Sequence, residues 1–183
     1  LHRQYGDGAL ALMEGNNRRA PMTLRINQIA IPPDTFKQRL QTAKISFADG
    51  PWPETVTLLD PQVATDLPGW DQGECAVQDQ AAQHAAHLIM DALLSKGPSA
   101  SPVKVLDACA APGGKLFHLR EVLTQAGIEP HLFALDNKAT RLQELSAMDL
   151  AGLELRCSAA MEEIENLLRI SHCSTITPEH IPE

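Results

Sequence analysis

Apolar and polar positions along the chain follow two different periods, and the switches between them mark its elements. Residues 1–19 follow a helical period, weakened by Gly6, Gly8 and Gly15 and broken at Ala20-Pro21. Met22-Thr-Leu-Arg-Ile-Asn27 alternates in polarity and predicts a half-buried strand. Pro32-Pro-Asp-Thr35 signals the start of a helix, with Asp34 or Thr35 as its N-cap, and Phe36, Leu40, Ala43 and Lys44 continue it. Glu54-Thr-Val-Thr-Leu-Leu59 predicts a second strand, and Asp60-Pro61 and Leu67-Pro-Gly-Trp70 mark turns. Residues 1–70 therefore read as a small α+β module.

A second unit follows over residues 71–160. Glu74-Cys-Ala-Val77 predicts a short strand, and residues 79–95 a long helix with Ala82, Ala86, Ile89 and Leu93 on one face. After the loop Gly97-Pro-Ser-Ala-Ser-Pro102, Val103-Lys-Val-Leu-Asp107 is a strand running into a glycine-rich turn. Helices over residues 115–126 and 138–150 then alternate with strands over 131–136 and 153–157. Strand, helix, strand, helix, strand predicts an α/β fold with a parallel, doubly wound sheet. Residues 161–183 read as an irregular tail.

Composition narrows this picture. A hydrophobic content of 44% permits a packed core, and only 4% aromatics make that core mostly Leu, Ala, Val and Ile. No apolar run approaches the roughly 18–20 residues that span a bilayer, and no signal-peptide pattern is present, so no membrane association is expected. The chain begins at Leu1 inside a helical pattern, which suggests a piece of a longer protein. The net charge of −8 argues against nucleic acid, yet residues 1–50 carry seven Lys or Arg against four Asp or Glu. A phosphate-binding face is therefore expected in the N-terminal module, at Arg18, Arg19, Arg25, Lys37, Arg39 and Lys44, with ordinary solvated charges as the alternative. Cys75, Cys109, Cys157 and Cys173 form no C-x-x-C pair, so zinc is not expected, nor any other metal. Disulfides are not expected either, and a reduced, cytoplasmic protein is the default.

The candidate chemistry lies in Asp107-Ala-Cys-Ala-Ala-Pro-Gly-Gly-Lys115, just past the carboxyl end of a strand, where doubly wound sheets bind ligands. Gly113 and Gly114 let the backbone turn tightly and approach a ligand. The helix that follows offers free N–H groups and a positive dipole end, which suit a carboxylate or a phosphate. The next strand ends in Asp136, 29 residues after Asp107, where an acidic side chain accepts hydrogen bonds from ribose hydroxyls. Together these form a nucleoside-binding constellation, although Asp136 alone also fits a helix N-cap. Neither G-x-x-x-x-G-K-[ST] nor G-x-G-x-x-G occurs in the turn, which disfavours nucleoside triphosphates and dinucleotides.

The string from Asp107 to Lys115 closely resembles the first motif of the Nop/Sun family of RNA cytosine-5 methyltransferases. Val77-Gln-Asp-Gln-Ala-Ala-Gln83 resembles the segment before that family's catalytic core, and Ala20-Pro-Met-Thr-Leu-Arg-Ile-Asn27 the strand that opens its RNA-binding module. The bacterial Sun/Fmu branch, which methylates a cytosine in 16S ribosomal RNA, is the nearest in pattern. The resemblance implies a partial Rossmann-like sheet using S-adenosylmethionine, preceded by an RNA-binding module, in a monomer that acts in rRNA processing. It places Cys109, Ala110, Ala111, Pro112, Gly113, Gly114 and Lys115 along the methionine end of the cofactor and Asp136 at its ribose. Where the family carries an acidic residue near the adenine, this chain has Ser158.

Family catalysis needs a cysteine thiolate that adds to cytosine C6, so that C5 attacks the methyl group, and a second cysteine that helps release the enzyme. No Asp-Ala-Pro-Cys, the motif carrying one of them, occurs here. His172-Cys-Ser-Thr-Ile-Thr-Pro-Glu179 resembles the other and places Cys173 at the nucleophile's position, but only 14 residues separate it from Ser158. Either an internal segment is missing, or Cys173 is a small residue of the tail. Cys109 reads as a packing residue, and Cys75 and Cys157 as core. The expectation is a family member whose isolated chain does not methylate RNA. The alternatives are a non-catalytic RNA- or cofactor-binding remnant and a small-molecule methyltransferase of the same fold.

Overall fold

The computed structural model describes residues 2–95, 97, 103–138, 140, 141, 145 and 153–157, the last five by backbone alone. The N-terminal helical stretch forms two pieces, α1 (His2–Tyr5) and α2 (Gly8–Asn16), because the chain turns at Gly6 with φ 53°. Next come β1 (Met22–Ile26), α3 (Pro33–Thr42), β2 (Phe47–Asp49), β3 (Thr55–Leu58) and β4 (Cys75–Val77). They build an antiparallel sheet in the order β2-β3-β1-β4. Pro32 caps α3 and Pro33 opens it, so Asp34 and Thr35 lie in its first turn rather than at the cap. β4, expected at the head of the second unit, pairs with β1 and completes the first sheet.

The register of β1 decides how the two units meet. Leu24 and Ile26 face α3 and form the first core with Phe36, Leu40, Val56 and Leu58. Thr23 pairs across from Thr57 and Arg25 across from Thr55, so these four share the opposite face. That face is not solvated: Thr23, Arg25 and Thr55 are all buried. The alternation predicted a half-buried strand, but the second unit covers its polar side.

The second unit comprises α4 (Gln80–Ser95), β5 (Val103–Asp107), α5 (Gly114–Gln125), β6 (Pro130–Asp136) and β7 (Leu153–Cys157). Its strands are parallel in the order β5-β6-β7, with Leu106 opposite Phe133 and Asp136 opposite Cys157. Ala86 and Met90 of α4 pack on Leu119, Val122 and Leu123 of α5. The buried face of α4 is rotated from the expected one, since Gln83 is inside and Ile89 is 41% exposed. Hydrogen bonding explains the rotation: Thr55 Oγ1 donates to Gln83 Oε1 at 2.6 Å, and Gln83 Nε2 donates to the Gln78 carbonyl at 3.0 Å. Most of the helix expected over residues 138–150 and the whole tail lie outside the described residues.

Candidate functional site

The glycine turn leaves β5 at its carboxyl end and is fastened at three points. Asp107 Oδ1 accepts the Cys109 N–H at 3.0 Å, which starts the turn. The Ala110 N–H donates to the Leu135 carbonyl at 3.0 Å, tying the turn to β6. Asp136 Oδ2 accepts the Ala111 N–H at 3.2 Å, while its Oδ1 accepts the Lys138 N–H at 3.1 Å. Asp136 is thus an anchor of the turn as well as a candidate ligand contact. Each carboxylate oxygen has a second lone pair, so these two bonds leave acceptor capacity for hydroxyls.

Gly113 and Gly114 are glycines for different reasons. Gly113 holds φ 101° at the N-cap of α5, and a Cβ there would lie 2.3 Å from Phe117 Cε2 and 2.6 Å from Leu145 Cδ2. Gly114 has ordinary helical backbone, and a Cβ would meet nothing nearer than Gln78 Cδ at 3.9 Å. Packing therefore does not demand glycine at Gly114. Gly114 opens the first turn of α5, where backbone N–H groups have no helical acceptor. Ala110, Ala111 and Gly113 are buried, whereas Cys109, Pro112 and Lys115 are exposed. Cys109 is therefore not the packing residue expected, because the turn that begins at Asp107 lifts it to the surface. Ser158 and Cys173 lie outside the described residues.

Behind the turn runs a buried polar seam that sequence reasoning missed. Arg25, 4% exposed, donates through Nη1 to the Gly114 carbonyl at 2.6 Å and to Gln78 Oε1. Its Nη2 donates to Glu121 Oε1 at 2.9 Å. Burial pushes the Glu121 carboxyl up to about 7 against the pull of Arg25, and burial also lowers Arg25. Nearby, Glu54 Oε1 accepts from His87 Nε2 at 2.7 Å and from His118 Nε2 at 3.2 Å. Trp52 stacks on His87 at 4.1 Å between ring centroids. Burial lowers the His118 pKa despite its Glu54 bond. The Glu54 carboxyl lies below its usual range, because its histidine and backbone hydrogen bonds together outweigh desolvation.

Glu54, His87 and His118 bring three ligating atoms within 4.8 Å of one another, a donor set that zinc accepts. Two features favour a hydrogen-bonded hub instead. Among the described residues, His118 Nδ1 is buried without a hydrogen-bond partner, where a metal-bound histidine would donate to a second group. The Arg25 cation also acts on both His118 and Glu54. The expected phosphate-binding face needs correction. Arg25 is buried, Lys37 pairs with Asp49 at 2.6 Å and the exposed Arg39 pairs with Glu74, so Arg18, Arg19 and Lys44 are the exposed members of that set outside these ion pairs.

Comparison with known proteins agrees with both units. One family model, the ferredoxin-like domain of RsmF/B-like methyltransferases, matches residues 1–65, and a second, the 16S rRNA methyltransferase RsmB/F, matches residues 98–168. The chain belongs to the RsmB/F methyltransferase family. The ribosomal RNA small subunit methyltransferase B of Pasteurella multocida (strain Pm70) is 37% identical over 134 residues, 73% of this chain and 27% of that protein. The chain spans 26% to 36% of the length of such relatives. The crystal structure of PH0851 shares the fold with a TM-score of 0.70 at 19% identity, over 89% of this chain and 36% of that one. The structure of NSun6 from Pyrococcus horikoshii with SFG shares it with a TM-score of 0.63 at 12% identity, over 79% and 59%. The first sheet is thus the family's ferredoxin-like domain and the second unit its methyltransferase-like fold.

Proposed function

We propose that the Asp107–Lys115 turn and Asp136 bind S-adenosylmethionine, and that the chain is part of an enzyme that methylates cytosine C5 in ribosomal RNA. The carrying observation is the bond between Asp136 and the Ala111 N–H. It makes the turn and the acidic residue one rigid unit across the carboxyl ends of adjacent parallel strands. The N–H groups at the start of α5 and the open ground at Gly114 suit the carboxylate of the methionine moiety. Asp136, with its spare lone pairs, suits the ribose hydroxyls. When bound, the cofactor supplies an electrophilic methyl group on a sulfonium. The exposed Cys109 and Lys115 would border the methionine end of the site without taking part in chemistry.

RNA is assigned to the ferredoxin-like domain. An open groove of about 860 Å³ beside α3 is lined by Lys37 and Lys44 together with Asp34 and Asp49, and Lys37 is paired with Asp49, so the exposed Arg18, Arg19 and Lys44 of this domain are the cations offered to phosphate. Because the chain spans about a third of its relatives or less, methyl transfer is proposed for the family's full-length architecture and cofactor binding for this chain. Cys173 keeps its nucleophile assignment by resemblance alone.

Isothermal titration of the chain with S-adenosylmethionine tests this reading. A single-site isotherm is expected, weakened at least about tenfold by Asp136→Ala, since hydrogen bonds to a charged group are worth about 1.5–3 kcal/mol. Absence of binding by the wild-type chain, or equal affinity in Asp136→Ala, would overturn it.

A further inference from the structure

We propose that Arg25, on β1 of the ferredoxin-like domain, is a positioning residue for the cofactor turn. This rests on the cofactor reading and deepens it, because it makes the N-terminal domain part of what shapes the pocket.

One guanidinium directs its donors to three separate segments. Arg25 leaves the face of β1 opposite the first core and reaches 89 positions along the chain to the Gly114 carbonyl, at 2.6 Å. Gly114 is the first residue of α5 and directly follows Gly113, whose left-handed backbone turns the chain into the helix. A second arm reaches Glu121, two turns further along the same helix. The planar fork thus holds α5 at two points on one side and fixes both its height and its rotation against β1. A third contact, to Gln78, holds the segment that leads from β4 into α4. Gln78 itself stands 3.9 Å from where a Gly114 Cβ would lie, so the guanidinium and the amide together back the open ground of the turn.

Stability alone is a poor account of this arrangement. Buried ion pairs commonly give way to apolar side chains with no loss of stability, because desolvation offsets attraction. What an apolar side chain would not do is aim a donor at the Gly114 carbonyl. With that carbonyl held from behind, the N–H groups of the first turn are oriented toward the opposite end of the peptide units, where a carboxylate would sit. Ligand binding then needs no rearrangement of the turn. A shift of the ferredoxin-like domain would reach the pocket through the same contact.

The test compares Arg25→Lys with Glu121→Gln in the full chain, at a temperature where both are folded by circular dichroism. Lysine keeps the charge but not the fork, while Glu121→Gln weakens the ion pair and leaves the Gly114 contact. Two readouts are taken, the amide resonances of Gly113, Gly114 and Lys115 and the affinity for S-adenosylmethionine. Arg25→Lys is expected to move those resonances and to weaken binding by about tenfold, the loss of one charge-assisted hydrogen bond. Glu121→Gln is expected to weaken binding less than about threefold. Unmoved turn resonances in folded Arg25→Lys would overturn the proposal whether or not the cofactor binds. Moved resonances with unchanged affinity would overturn it too. Moved resonances in a chain whose wild type does not bind S-adenosylmethionine would uphold Arg25 as the residue that sets the turn, while the cofactor reading fails.

Discussion

Arg25→Ala is expected to lower the unfolding free energy by about 3–5 kcal/mol at pH 8 and by clearly less at pH 5. Removing the guanidinium leaves the Glu121 carboxylate buried without its counter-charge and strips a donor from Gly114 and Gln78. The pH dependence follows from Glu121, whose carboxyl is pushed up to about 7 in the fold. A group raised in this way contributes stability that is fully present below its unfolded pKa, about 4.3, and lost as pH rises through about 7. Near pH 5 the carboxyl is largely protonated in the fold and needs no cation, so loss of Arg25 costs mainly its hydrogen bonds. At pH 8 the carboxyl, no longer drawn down by Arg25, must either stay buried as an unpaired charge or take up a proton, and both cost stability. Urea unfolding at the two pH values measures the difference. The double variant Arg25→Met/Glu121→Leu is expected to recover most of the loss at pH 8, because neither charge remains to be desolvated. Equal losses at both pH values would show that the ion pair, not desolvation, controls Glu121.

The second large effect lies in the two adjacent glycines, which are expected to respond in opposite ways. Gly113→Val forces a β-branched residue into φ 101° and drives its Cβ against Phe117 and Leu145. Backbone strain and overpacking together give an expected loss of about 2–4 kcal/mol, with cofactor binding lost as the turn deforms. Gly114→Ala meets no such obstacle, and replacing glycine at the first position of a helix is expected to raise stability by up to about 0.5 kcal/mol. Its methyl group would nevertheless occupy the open ground over the first turn and reduce affinity for S-adenosylmethionine. A variant more stable than wild type and weaker in binding separates the ligand's need for glycine from that of the fold. Thermal unfolding and calorimetry on the same samples show both. Full affinity in Gly114→Ala would place the ligand elsewhere.

The contrast between these glycines and Arg25 shows what the sequence made legible. The turn is local: strand, glycines, helix and the following Asp136 lie within 34 residues, and the periodicity that predicts β5, α5 and β6 also places the ligand site. The alternation of β1 was equally legible, with Leu24 and Ile26 on one face. What covers the other face was not, because alternation is the same whether the polar side meets water or a second domain. The pattern therefore offers Arg25 as a phosphate contact or a solvated charge, whereas it forms an internal ion pair. Glu54, His87 and His118 come from three separate segments and carried no signal of their meeting. The rotation of α4 has the same origin, since Gln83 turns inward to meet Thr55 and Gln78, not because of its own polarity. Buried polar seams between domains are long-range features, and a single sequence records only their parts.

If the glycine turn and Asp136 form one S-adenosylmethionine site, a titration followed by amide resonances in the full chain reveals it. Addition of S-adenosylmethionine is expected to shift Gly113, Gly114, Lys115 and Asp136 together along one saturation curve, with the ferredoxin-like sheet little changed apart from residues near Arg25. Shifts confined to other parts of the chain, or none at millimolar ligand, would contradict it.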